Sequence, residues 1–301
     1  MRIQEGFMPY CGFATYYRLV IPQSPIAGRH PLVLLHGGPG STHNYFELLD
    51  ELADLDGRTL VMYDQLGCGE SYVEGHEELW TYDTWNRELA CLREQLSIDQ
   101  CHLLGQSWGG MLAIEYLVDL RPAGVQSLVL SSSLSSCALW SAEQHRRLRH
   151  FSPEDQKVVR QAEKSGNYDS PAFRDVERRF MECYCAGPVS PDSPECLRRP
   201  KRTGRASYLA MQGDNELTPT GKFRDWDYTE RLACIEQPTL IISGTDDLCS
   251  PLVAKTMADR IPHARWELMA GCRHMCFADD TPHYLELLKS WLDAHDAPTT
   301  P

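Results

Sequence analysis

Short, unbroken apolar runs recur along the chain, at 31–35 (PLVLL), 59–63 (TLVMY), 102–104, 127–130 (SLVL) and 239–242 (TLII). Four or five apolar residues without polar alternation suit strands covered on both faces. Between the runs lie segments with helical spacing, at 45–55 and 82–96, and a long apolar stretch that follows residue 107 to residue 120. The alternation predicts a doubly wound, mostly parallel α/β sheet flanked by helices. Residues 13–21 alternate aromatic and β-branched side chains with others, which predicts an edge strand of an opening hairpin. From about residue 134 to residue 227 the alternation stops. Apolar residues there recur as Val158-Val159-Ala162 and Phe173-Val176-Phe180, predicting several helices laid over the sheet as an inserted cap. Beyond 239–242 the pattern predicts a helix after Pro251, a strand at 265–269, a closing helix at 282–295 and a polar tail at 297–301. The expected organisation is a core made of 1–133 and 229–301, interrupted by an all-helical cap over 134–228.

Composition narrows the class. With 301 residues, 42% of them hydrophobic, the chain can bury a large core as one domain carrying an insertion. A formal charge of −13 argues against a nucleic-acid backbone as partner and modestly favours a cationic ligand. The N-terminal residues lack a basic segment followed by an apolar one, and no run of about 18 apolar residues occurs, so neither export nor a membrane partner is expected. The location implied is cytoplasmic and the partner a small molecule or short peptide. Twelve scattered cysteines read as reduced thiols. The groups Cys183/Cys185/Cys196 and Cys272/His274/Cys276 lack a CxxC knuckle, so no metal or other cofactor is expected. A disulfide within the inserted region is a secondary reading.

The chemistry gathers at the ends of the apolar runs. Gly105-Gln106-Ser107-Trp108-Gly109 joins a strand to a helix, and a G-x-S-x-G string in that context pushes its serine out of the sheet edge as a nucleophile. A serine hydroxyl needs an imidazole to take its proton and a carboxylate to orient that imidazole. Asp247 and Asp246 compete for the acid, and the spacing to Pro251 favours Asp247. His274 stands in a short loop before the last helix, whereas His283 falls inside it. The order serine, acid, histidine along the chain is that of one hydrolase fold in particular. The glycine-rich turn His36-Gly37-Gly38-Pro39-Gly40 follows a buried run, and the N–H groups of Gly38 and Trp108 are the expected oxyanion donors. Asp64, just past another strand, is expected to hold its loop by accepting backbone N–H bonds.

The motifs HGGPG at His36, YDQLGCGES at Tyr63, GQSWGG at Gly105, NELTPTGKFRDWDYTE at Asn215, GTDDLCSP at Gly244 and CRHM at Cys272 span almost the whole chain. Through them it resembles the prolyl (proline imino-) aminopeptidases of the α/β-hydrolase superfamily, especially the tricorn-interacting type. The resemblance implies an α/β-hydrolase fold and cleavage of an amide bond after a free N-terminal residue, through an acyl-enzyme. It also implies that Glu216 grips the substrate's α-amine and places Gly37 and Leu248 against the substrate. The family's second amine-binding glutamate directly follows the catalytic aspartate, and here Leu248 occupies that position. Losing one of two such carboxylates costs about 2–5 kcal/mol of binding unless Asp246 or Asp214 compensates. Two alternatives remain open: an esterase, amidase or cyclising acyltransferase using a less charged acyl group, and a non-catalytic ligand-binding hydrolase fold.

Overall fold

The computed structural model describes residues 1–296, and the polar tail at 297–301 lies outside the described residues. The chain opens with a hairpin of β1 (Arg2–Tyr10) and β2 (Phe13–Ile21), followed by β3 (Leu32–Leu35), β4 (Leu60–Tyr63), β5 (Cys101–Gln106), β6 (Val125–Ser131), β7 (Thr239–Gly244) and β8 (Arg265–Met269). They form one eight-stranded sheet in the order β1-β2-β4-β3-β5-β6-β7-β8. The hairpin and the β2–β4 pair are antiparallel, and the remaining pairs are parallel. β2 is not the edge that its alternation suggests, because it also pairs with β4, from Tyr17 opposite Tyr63 to Val20 opposite Leu60. The edge is β1. Alternation reports how many faces of a strand are covered, and it is silent on whether both of its hydrogen-bonding sides are paired.

The apolar runs have no polar face because helices cover both sides of them. In β3, Val33 and Leu35 enter one core while Leu32 and Leu34 enter the other. The first core takes α2 (Tyr82–Gln95), α3 (Trp108–Glu115) and α9 (Pro251–Arg260); the second takes α1 (Leu52–Asp56), α10 (Cys276–Asp279) and α11 (Thr281–His295). The helix expected over 45–55 is broken into a 3₁₀ segment, His43–Leu49, and α1. Asp64 pins the start of that segment by accepting the His43 N–H at 2.9 Å. α3 is buried at every position and runs on through a π-helical turn, Tyr116–Leu120.

Between β6 and β7 the chain forms only helices and loops: α4 (Cys137–Leu148), α5 (Pro153–Ser165), α6 (Pro171–Tyr184), α7 (Glu195–Arg198) and α8 (Arg205–Met211) are joined by irregular segments. Ser152-Pro153 and Ser170-Pro171 start α5 and α6, each serine accepting an N–H of the first turn. Val159, Ala162, Phe173, Val176 and Phe180 meet in a core of their own, which Leu248 joins from beyond β7. All twelve cysteines are free thiols. No helix among the described residues is long and apolar enough to cross a membrane.

Glu88 on α2 lies fully buried under the hairpin, accepting the Leu66 N–H at 3.0 Å and the Thr15 hydroxyl. Burial pushes its carboxyl up to about 8 from 4.5. Between those values the unfolded chain releases this proton and the folded chain keeps it, so Glu88 lowers stability progressively as pH rises through that window. Glu88→Gln is therefore expected to gain a few degrees in Tm relative to the parent between pH 5 and pH 8. A Tm difference that does not change with pH contradicts this.

Candidate active site

The turn that carries Ser107 is made by crowding. Any side chain at Gly105 would run into the Gly109 carbonyl, and any at Gly109 into the Leu35 carbonyl, so the turn from β5 into α3 tolerates only glycine at both places. Ser107 is left at its apex with φ 55° and ψ −121°, a conformation that L-residues rarely adopt and that lifts the hydroxyl off the sheet. Its backbone is tied to the next strand through Ser107 N–H to Ser131 O, at 3.0 Å.

Asp247 and His274 arrive on the loops after β7 and β8. The His274 Nδ1 lies 2.7 Å from Asp247 Oδ1, which also accepts the Cys249 N–H at 2.8 Å. The other oxygen, Oδ2, accepts the Gly244 N–H at 3.3 Å. Asp247 is wholly buried and His274 nearly so. This fixes Nδ1 as a donor and leaves Nε2 to act as a base. Asp246 is exposed, its carboxylate taking the Thr245 hydroxyl, and His283 lies exposed on α11. Among the described residues no hydrogen bond joins the Ser107 hydroxyl to His274; such contacts often tighten only around substrate.

Ser107 and His274 line one cavity of about 510 Å³, together with Gly37, Gly38, Trp108, Glu216 and Leu248. The backbone N–H groups of Gly38 and Trp108 have no hydrogen-bond partner among the described residues. Gln106 braces this rim. Its Oε1 accepts the Tyr45 hydroxyl at 2.9 Å, that hydroxyl accepts the Gly37 N–H at 2.6 Å, and the Gln106 amide reaches the His274 carbonyl at 3.4 Å. Asp64 keeps its loop in place by accepting the N–H groups of His43 and Glu70 and the His43 ring.

The helical insertion closes over these loops. The Tyr184 carbonyl, at the end of α6, accepts both the Leu248 N–H at 3.1 Å and the His274 N–H at 3.0 Å. Glu216 sits in a turn pinned by buried Asn215, whose side-chain oxygen accepts the N–H groups of Leu217 and Thr218. Burial holds the Glu216 carboxyl above its ordinary value, partly offset by the neighbouring Tyr208 hydroxyl, and among the described residues no cation pairs with it. Neither Asp246 nor Asp214 compensates for Leu248, because both are exposed and neither lines the cavity. The nearest second carboxylate is Glu177, which is engaged by the Glu216 N–H at 2.9 Å and by Arg174. Possible metal-ligating atoms of Asp247, Cys249 and His274 lie within 4.8 Å of one another. They suit a metal poorly, since the Cys249 thiol donates to the Ser132 carbonyl and burial pushes its pKa well up.

Several residues of the site carry no sequence signal. Tyr45 and Tyr208 become recognisable only when the fold brings them to the cavity. Arg147, buried on α4 with its guanidinium 4.6 Å from the Tyr184 ring centroid, places a positive charge near Asp247.

A family model described as alpha/beta hydrolase fold matches residues 30–281. The chain is 53% identical to the proline iminopeptidase of Clostridioides difficile (strain 630), over 98% of this chain and 100% of that protein. It is 52% identical to the proline iminopeptidase of Lactobacillus helveticus (strain DPC 4571), over 98% and 100%. Among solved structures, the proline iminopeptidase of Mycobacterium smegmatis superposes with a TM-score of 0.86 at 29% identity, covering 97% of this chain and 99% of that one.

Proposed function

This chain belongs to the α/β-hydrolase family, and from that premise we propose that it is a serine aminopeptidase that removes an N-terminal proline or similar residue from short peptides and small amides. In this reading His274 Nε2 takes the Ser107 proton as the hydroxyl attacks the substrate carbonyl, and Asp247 stabilises the resulting imidazolium. The oxyanion moves into the N–H groups of Trp108 and Gly38, each contributing about 3 kcal/mol to the barrier reduction. The imidazolium then protonates the departing amine, leaving an acyl-enzyme on Ser107. Water activated by the same imidazole releases the amino acid and restores the hydroxyl. The helices over 134–228 act as a cap that excludes bulk water and carries Glu216.

The observation that carries the substrate assignment is Glu216, a half-buried carboxylate in a largely apolar cavity shared with Ser107 and without a cationic partner among the described residues. A carboxylate held this way is a receptor for an ammonium group. Leu248, apolar where the family's second glutamate stands, favours a second reading in which the acyl group is less charged. Hydrolysis of proline anilide, N-acetylproline anilide and a simple ester, measured side by side, separates the two. The aminopeptidase reading predicts that the free-amine anilide is preferred; preference for the capped anilide or the ester supports the second.

Glu216→Ala is expected to raise KM for free-amine substrates at least tenfold, corresponding to the loss of about 1.5–3 kcal/mol from a charge-assisted contact, while N-capped substrates change little. Equal effects on both classes remove the amine-gripping role. Because burial holds the Glu216 carboxyl above the ordinary range, the loss of free-amine binding on acidification is expected to begin at higher pH than for an exposed glutamate.

A further inference from the structure

Four arginines are buried among the described residues, and three of them are held by acceptors. Arg18 pairs with Asp50 at 2.6 Å, Arg58 with Asp56 and Asp296, and Arg93 donates to the Tyr116 hydroxyl and to the carbonyls of Asp99 and Ala123. Arg147 is the exception. It is 5% exposed, its Nη1 has no hydrogen-bond partner, and Glu143, one turn earlier on α4, is taken by Arg146 at 2.8 Å. A guanidinium so desolvated is costly unless its charge serves an anion nearby.

The packing sets this cation behind the loop that carries Asp247. On α4, one turn before Arg147, the Gln144 amide donates to the Leu248 carbonyl at 2.7 Å, and Glu143 accepts the Ser250 hydroxyl at 2.6 Å. The Arg147 guanidinium lies 4.6 Å from the ring centroid of Tyr184 at the end of α6, and the Tyr184 carbonyl accepts the N–H groups of Leu248 and His274. The helix that carries Arg147 and the residue it stacks on therefore both bond Leu248, the neighbour of Asp247. Burial holds the guanidinium below its ordinary value, and the charge of Asp247 is foremost in opposing that.

The other groups around the Asp247–His274 pair leave this cation unopposed. Burial raises the thiols of Cys185, Cys249 and Cys276 and the Tyr184 phenol, which keeps them neutral. Arg146 is paired with Glu143, Arg273 with Asp279, and Asp246 faces solvent. Glu216 adds a second carboxyl to the cavity, which Lys201 and Arg205 reach as exposed side chains.

We infer that Arg147 is a positioning residue for the acid–base pair: a fixed positive charge that keeps Asp247 ionised and His274 Nε2 free of a proton in mildly acidic solution. This rests on the reading of Ser107, Asp247 and His274 as one reacting unit. A nearby cation favours the carboxylate over the carboxylic acid and the neutral imidazole over the imidazolium, and both keep the base ready. Between groups this buried, salt screens the effect little.

The test is the rate at which a fluorophosphonate labels Ser107 at pH 5.5 relative to pH 8, on protein shown by its melting curve to be folded at both. Parent, Arg147→Met and Arg147→Lys are compared, and Arg147→Gln repeats the neutralisation with a polar side chain. Cleavage of proline anilide is followed in parallel. The labelling ratio is expected to fall about fivefold in the two neutral variants and to stay within about twofold of the parent in Arg147→Lys, at low and at high salt. A ratio unchanged in the neutral variants makes Arg147 a packing partner of Tyr184 only. A fall as large in Arg147→Lys ties the effect to the shape of the guanidinium instead of its charge. Either result overturns the inference. A parent protein that takes no label removes the reacting unit, and the inference falls with it; labelling without cleavage of proline anilide removes the aminopeptidase reading alone.

Discussion

Ser107→Ala is expected to lower kcat for proline anilide by about 10⁶-fold while leaving the fold and Tm essentially unchanged. The second half of that expectation is unusual for a residue in so constrained a place, and it follows from the geometry. The hydroxyl has no hydrogen-bond partner among the described residues, so removing it orphans nothing. The positive φ of 55° strains serine and alanine alike, since the strain comes from Cβ, which both carry. The residual rate over water then reports the oxyanion donors and substrate binding alone. The measurement is steady-state kinetics on protein matched by melting curve. A variant that keeps more than about a thousandth of the parent rate means that the nucleophile is elsewhere.

Asp247→Asn is expected to lower turnover by about 10⁴-fold. Either orientation of the new amide is costly. With its oxygen on His274 Nδ1, the amide nitrogen opposes the Gly244 N–H, donor against donor. With its nitrogen on Nδ1, the imidazole must accept there and carry its proton on Nε2, where it can no longer take one from Ser107. In both orientations the imidazolium that forms during attack loses a wholly buried anion. Asp246→Asn is the internal control, expected to stay within about threefold because that side chain is exposed and turned toward Thr245. The reverse outcome, with Asp246→Asn as the damaging change, reassigns the acid.

The layered core was readable because the strands of a two-sided sheet must be apolar at every position, and the helices of the insertion because their apolar residues repeat every three or four. Ser107, Asp247 and His274 stand out as candidates for a related reason: chemistry in such a sheet gathers at the carboxyl ends of its strands, so a strand end marks a residue as a candidate. Periodicity carries no such information about ladder neighbours, so the alternation of β2 suggests an edge although its second side pairs with β4. It also does not say which face of an inserted helix looks down. Lys201 and Arg205 are two basic residues among five in 198–205, and nothing in their spacing separates them from Arg199 or Arg202. Only the packing of that segment, with Gly204 N–H bonded to the Gly40 carbonyl at 2.7 Å, brings Lys201 and Arg205 to the cavity that Ser107 lines. The same holds for the carboxylate beside Glu216. Asp246 and Asp214 are closer to the site along the chain than Glu177, but both face solvent while α6 carries Glu177 to the Glu216 backbone.

The sharpest single experiment is to treat the protein with a fluorophosphonate and locate the adduct by mass spectrometry. Attack of Ser107 on phosphorus requires the same hydroxyl, imidazole and oxyanion donors as attack on a carbonyl, without requiring knowledge of the natural substrate. One adduct per chain is expected, on the peptide containing Ser107, absent in Ser107→Ala and strongly slowed in His274→Ala. An enzyme that cleaves proline anilide yet takes no label, or takes it on another residue, contradicts the assignment of Ser107 and His274 as one reacting unit.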